Sequence, residues 1–124
     1  MCKFLILFII IALATASCSK KNSTDNAALL KGKVIRITCA SYVVEVLNTD
    51  TIGVDGWVDR MNNSKVYNNV FGVSNKCIIP AGIGKDNIIT FRIAESSNDN
   101  CSYCDLYDAP PSVLYPVKDV KLEN

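Results

Sequence analysis

Four cysteines constrain this chain more than any other feature. Cys39, Cys77, Cys101 and Cys104 fall within about ninety residues, from Gly32 to Leu122, that carry the folding pattern. A domain of that size buries only a small core, and small exported domains supplement such cores with disulfides. An even number of cysteines in an oxidising compartment reads as two bridges, and four cysteines allow three connectivities. Cys39 ends a strand-like run, whereas Cys101 and Cys104 lie in a late polar loop. The expectation is that Cys39 pairs with Cys101 or Cys104 and that Cys77 takes the other.

Disulfides imply export, and the first eighteen residues read as the address. Phe4 to Leu13, "FLILFIIIAL", is uncharged and apolar behind a single Lys3. A bilayer-spanning helix needs roughly 20 such residues, so this shorter run reads as the core of a signal peptide. Ala14-Thr15-Ala16 would suit ordinary signal peptidase. Thr15-Ala16-Ser17-Cys18 resembles a bacterial lipobox, with Thr15 where Leu is preferred, and the polar, flexible "SKKNSTDNAALLKG" behind it suits a tether. The second reading is favoured: a signal peptide over 1–17, a lipid on Cys18, a tether over 18–31 and a folded domain over 32–124. The membrane is then a partner through the N-terminal lipid. Lys20-Lys21 lacks the acidic run associated with surface display, so the expected location is the cell envelope, facing the periplasm.

Charge and residue usage exclude several function classes. Lysine and arginine number 13 against 12 aspartate and glutamate, and loss of Lys3 with the signal peptide balances them. No basic face is implied, and nucleic acid is not an expected partner. The chain contains no histidine. That removes the Ser-His and Cys-His nucleophile pairs and the commonest metal ligand, leaving carboxylates, lysine or tyrosine for any acid–base work. Cys101-Ser102-Tyr103-Cys104 is one C-x-x-C, half of what a zinc ribbon uses, and it lacks the βαβ setting of a thioredoxin-like motif. Asp99, Asp105 and Asp108, with Asn98 and Asn100, match no EF-hand spacing and read as turn formers. Gly82-Ile83-Gly84-Lys85 lacks the rest of a phosphate loop and precedes a strand. No metal and no cofactor are expected.

The domain itself reads as strands. "KVIRITC" alternates, setting Ile35, Ile37 and Cys39 against Arg36 and Thr38. In "YVVEVLN", Tyr42, Val44 and Val46 oppose Val43, Glu45 and Leu47. "TIGVDGWV" is broken by the turn-forming Asp55-Gly56, and residues 59–75 suit either a short helix or a loop with a strand. "NIITFRIAE" directs Ile89, Phe91 and Ile93 inward, with Thr90 and Arg92 outward. "SSNDNCSYCDLYDAPPS" is a loop by composition, and "VLYPVKDVKL" closes the domain with Pro116 marking an edge or bulge. The expected class is all-β, a small barrel or sandwich of about five strands with at most one short helix.

A strand ending in "TC", a two-residue link, "YVVEVLN", and a late Cys followed by "APPSVLYPVKDVKL" together resemble the small OB-fold-like lipoproteins of Bacteroidetes bacteria. That resemblance implies a five-stranded OB-like barrel supported by disulfides and brings no catalytic residues with it. Cys77 and Cys101 depart from its simplest members. Asp50-Thr51-Ile52 fits a short pattern resembling O-glycosylation sites of the same bacteria.

Trp57, Tyr103 and Tyr107 are the candidate ligand-binding residues, because aromatic faces outside the core serve as stacking platforms. The expected function is a non-catalytic, lipid-anchored envelope protein that binds a protein, a glycan or a small ligand. Two alternatives stand behind it. One is a hydrolase of envelope polymers using carboxylates such as Glu45 and Glu95, which would have to face each other roughly 5–9.5 Å apart. The other is a purely structural lipoprotein.

Overall fold

The computed structural model describes residues 27–97 and 100–124, so the expected signal peptide, Cys18 and most of the tether lie outside the described residues, as do Asn98 and Asp99. Eight strands follow in order: β1 (Leu30–Ile37), β2 (Tyr42–Val46), β3 (Trp57–Asp59), β4 (Lys65–Tyr67), β5 (Val70–Val73), β6 (Ile88–Ile93), β7 (Leu114–Tyr115) and β8 (Val117–Leu122). Among the described residues the one helical element is a 3₁₀ turn, Lys76–Ile78. The chain is therefore nearly all-β. β1 begins at Leu30, inside the stretch read as tether, because the Leu30 side chain is buried in the core. The ambiguous segment after Asp59 forms the turn and return strand of a hairpin, with Asn63 and Ser64 at positive φ between β3 and β4.

Six strands form one sheet in the order β7-β5-β2-β1-β6-β8, and the β3-β4 hairpin forms a second. The β5–β7 pairing is parallel and every other one is antiparallel. β7 and β8 are separated only by Pro116, whose missing N–H interrupts the ladder. That single stretch therefore lies along β5 at one end and β6 at the other. β7 and β8 do not pair with each other, so the sheet is not a closed barrel, and the expected five strands are cut into shorter pieces.

A bulge in β1 decides which side chains face which core. Val34 opposes Val44 and Arg36 opposes Val43, so Ile35 and Arg36 together face one partner residue. Such a bulge re-aims the side chains that follow it. The expected alternation fails here: Ile35 and Arg36 are both buried, whereas Ile37 and Cys39 are exposed. Before the bulge, Leu30 and Val34 join Val44, Phe71, Ile89 and Phe91 in the main core. Phe71 contacts Phe91 at 5.7 Å and Tyr115 at 5.5 Å between ring centroids. Gly32 is required by this packing, since a Cβ there would lie 2.6 Å from Val44 Cγ1 and 2.9 Å from Phe91 Cε1. At the bulge, Ile35 joins Val43, Tyr67 and Val70 in a second, smaller core beneath the hairpin, flanked by Val54 and Trp57.

Phe91 fills the centre of the main core and is fully buried. Phe91→Ala should cost about 3–5 kcal/mol in urea unfolding, against a change within about 0.5 kcal/mol for the exposed Lys121→Ala.

Candidate functional site

The bulge carries Arg36 under the hairpin, where a guanidinium must find anions or destabilise the fold. It finds two. Arg36 Nη1 lies 3.0 Å from Asp59 Oδ1, at the end of β3, and Nη2 lies 3.6 Å from Asp108 Oδ2, in the loop after β6. All three side chains are at least nine-tenths buried. Asp108 Oδ2 also accepts from Thr38 Oγ1 at 2.6 Å and Ser41 Oγ at 2.5 Å, both in the short link between β1 and β2. Asp59 Oδ1 further accepts from the Met61 amide, which fixes the hairpin turn. The Trp57 ring covers Arg36 with 4.8 Å between the guanidinium carbon and the ring centroid, and its indole N–H donates to Ala109 O at 3.2 Å. Sheet, hairpin and loop therefore meet at one buried cation. Burial pushes the Asp108 carboxyl up, but the Ser41 and Thr38 hydroxyls and the Arg36 charge outweigh it and hold the group below its usual value.

Two disulfides fasten the same loop further upstream. Cys39 pairs with Cys104 and Cys77 with Cys101, one of the arrangements the sequence left open. Lys76 Nζ donates to the Cys39 carbonyl and sits 4.6 Å from the Tyr103 ring centroid, while the Tyr103 hydroxyl donates to the Ser74 carbonyl. Elsewhere the Tyr42 hydroxyl is buried with no hydrogen-bond partner among the described residues, and burial pushes its pKa up to about 12.

These ties bring two of the three candidate aromatics together. Trp57 is half-buried and Tyr107 is 87% exposed, and both line a groove of about 420 Å³ between the hairpin and the loop, with Asp55, Arg60 and Pro110. Tyr103 lines a different groove, of about 320 Å³, with Ser41, Tyr42 and Leu114. Glu45 and Glu95 lie apart in the fold, one in mid-β2 opposite Lys33 and Val70, the other beyond the end of β6. Thr51 is exposed, and its hydroxyl is 2.9 Å from that of Thr49. The sequence pattern did not single out Arg36, Asp59 or Ser41. No protein-family model and no curated protein matches the chain.

The buried cluster has a defined acid response. Because Asp108 is more acidic folded than unfolded, its contribution to stability is complete above its ordinary pKa of 3.8 and is lost as pH falls through the lower folded value. Asp108→Asn should flatten the acid limb of stability, measured as urea midpoints from neutral pH down to pH 2. Arg36→Met, which strands two buried carboxylates, should cost about 3–5 kcal/mol at neutral pH and more than Asp108→Asn.

Proposed function

We propose that this chain is a non-catalytic, lipid-anchored binding module of the cell envelope that recognises a glycan in the groove between the β3-β4 hairpin and the loop after β6. The observation that carries the reading is the meeting of Trp57 and Tyr107, from segments far apart in sequence, on one open groove. Aromatic faces suit the C–H face of a sugar ring. The flanking Asp55 and Arg60 offer an acceptor and a donor set for its hydroxyls. Opposite charges on the groove walls also suit a neutral ligand better than a polyanion. The buried Arg36 cluster and two disulfides support a preformed groove, which lowers the entropic cost of binding.

The anchor reading rests on the lipobox-like Thr15-Ala16-Ser17-Cys18 and the polar segment behind it, with the domain facing the periplasm. An OB-like barrel is the finer reading of the scaffold. It is supported by the stretch Leu114–Leu122, which pairs in parallel with β5 before Pro116 and antiparallel with β6 after it.

Trp57 is the chain's single tryptophan, so its emission reports on this groove. Full-length protein in detergent, titrated with saccharides released from the envelope, should give a saturable emission change and return the saccharide intact. Tyr107→Ala should weaken binding about tenfold or more, equivalent to about 1.4 kcal/mol. Saturation by an envelope protein fraction and by no saccharide would redirect the site to a protein partner. Breakdown of an added polymer, abolished by Glu45→Gln or Glu95→Gln, would make the chain a hydrolase instead.

A further inference from the structure

We infer that the end of the domain from which the N-terminal segment leaves is a lipid-contacting face, seated on the acyl chains of the leaflet that holds the anchor. The inference rests on the lipidation of Cys18 proposed above. A groove of about 340 Å³ opens at this end, and Ala27, Ala28, Leu29, Ile52 and Ile93 give it a mainly apolar lining.

One wall of this groove is the last part of the expected tether, and it is built into the fold. Arg92 Nη1 donates to Ala27 O at 2.7 Å, and Asn48 Nδ2 donates to Leu29 O at 3.2 Å. Asn48 Oδ1 in turn accepts from the Lys31 amide at 2.9 Å. A passive spacer needs none of these bonds. Their effect is to hold Leu29 beside the groove, where it remains 52% exposed. Leu47 is also left in water at 47% exposure, and its amide donates to Lys31 O at 2.8 Å, on the strand that leads out of the same wall. Single exposed leucines such as Leu47 need no explanation, but Leu29 continues the apolar lining formed by Ala27, Ala28, Ile52 and Ile93, and a contiguous apolar patch asks for cover.

Chain length names what covers it. Cys18 and Ala27 are nine residues apart, so the connecting chain cannot separate them by more than about 30 Å. The bilayer surface is then never far from this end. Short flexible linkers give effective concentrations in the millimolar range, so a contact too weak to hold a free domain on a membrane becomes populated once the chain is anchored. Arg92, the cation that holds the wall, pairs with Asp119 at 3.6 Å, and the neighbouring Lys31 ammonium pairs with Glu123 at 2.9 Å. With these charges paired and a mainly apolar lining beside Asn48, Thr49 and Thr51, the contact does not call for anionic lipid, and zwitterionic lipid is sufficient for it.

The test uses full-length protein, with acylation of Cys18 read by intact mass, reconstituted into phosphatidylcholine vesicles whose acyl chains carry bromine at mid-depth. Leu29→Trp introduces a reporter at an exposed position beside the groove. Val66→Trp introduces one on the outer face of the hairpin, where Val66 is 58% exposed, and Trp57 alone in the wild type gives the background. Bromine should quench the added Leu29→Trp emission at least twofold more than that of Val66→Trp. Equal quenching of the two overturns the inference. A concentration-dependent dimer in detergent that Leu29→Glu dissociates assigns the face to a second copy and also overturns it. An intact mass without acyl chains removes the anchor and the inference together, while leaving the Trp57 titration of the glycan groove unaffected.

Discussion

A single buried guanidinium ties both the β3-β4 hairpin and the long loop after β6 to the main sheet. The β3-β4 hairpin forms its own two-stranded sheet, and the long loop after β6 carries no regular structure between Ile93 and Leu114 among the described residues. Neither would keep a fixed position on local propensity alone, since an isolated hairpin is at best marginal in water. Arg36 supplies the fixed point, with Asp59 from the hairpin on one nitrogen and Asp108 from the loop on the other. Desolvation makes such an arrangement a doubtful source of net stability. Its stronger effect is on closed packing: any arrangement that keeps Arg36 covered by the hairpin but moves Asp59 or Asp108 away leaves buried charge uncompensated. The groove walls inherit their geometry from that requirement.

The disulfides act on a different quantity. Their half-cystines are exposed or half-exposed, so they add little to core packing. Cys39–Cys104 closes a separation of 65 residues, which in a chain-entropy account contributes roughly 4 kcal/mol by restricting the unfolded chain. Cys77–Cys101 spans 24 residues and fastens the same loop to the 3₁₀ turn. Beyond Cys104 the loop is held instead by Asp108 with Thr38 and Ser41, and by Ala109 with Trp57. Tyr107 lies between the Cys104 disulfide and the Asp108 tie with its ring in water, where a ligand can reach it.

Strand identity was legible in the sequence where apolar alternation is long and uninterrupted. β2 and β6 follow from "YVVEV" and "IITFRI", with Ile89 and Phe91 inward as expected. The stretch 113–122 reads as one closing strand with Pro116 at an edge or bulge, and the structure divides it there into β7 and β8, while the loop of Cys101 and Cys104 was legible in its polar composition. The bulge at Ile35 and Arg36 was not, because "VIRIT" satisfies a regular period of two and hides the one-residue slip. That slip determines the site: without it, Arg36 reads as a solvent-facing residue, Asp108 as a turn former and Asp59 as the start of an unassigned segment. The hairpin was obscured for another reason. Its strands are three residues long, and Val58 and Val66 face solvent, so no periodic signal survives. Trp57 and Tyr107 could be chosen by residue type, but their shared groove, and the separation of Tyr103 from it, depend on contacts distant in sequence.

The most direct test of Arg36 as the shared anchor is amide hydrogen exchange on Arg36→Met beside the wild type, under conditions where both remain folded. The expected result is a selective loss of protection at Met61, whose amide is held by Asp59, and at Lys65 across the hairpin turn, together with faster exchange at Cys104, whose amide donates to Cys39 O. Amides of β6 and β8 should keep their wild-type protection. Equal loss across all strands, or unchanged protection at Met61 and Lys65, would contradict the role assigned to the buried guanidinium.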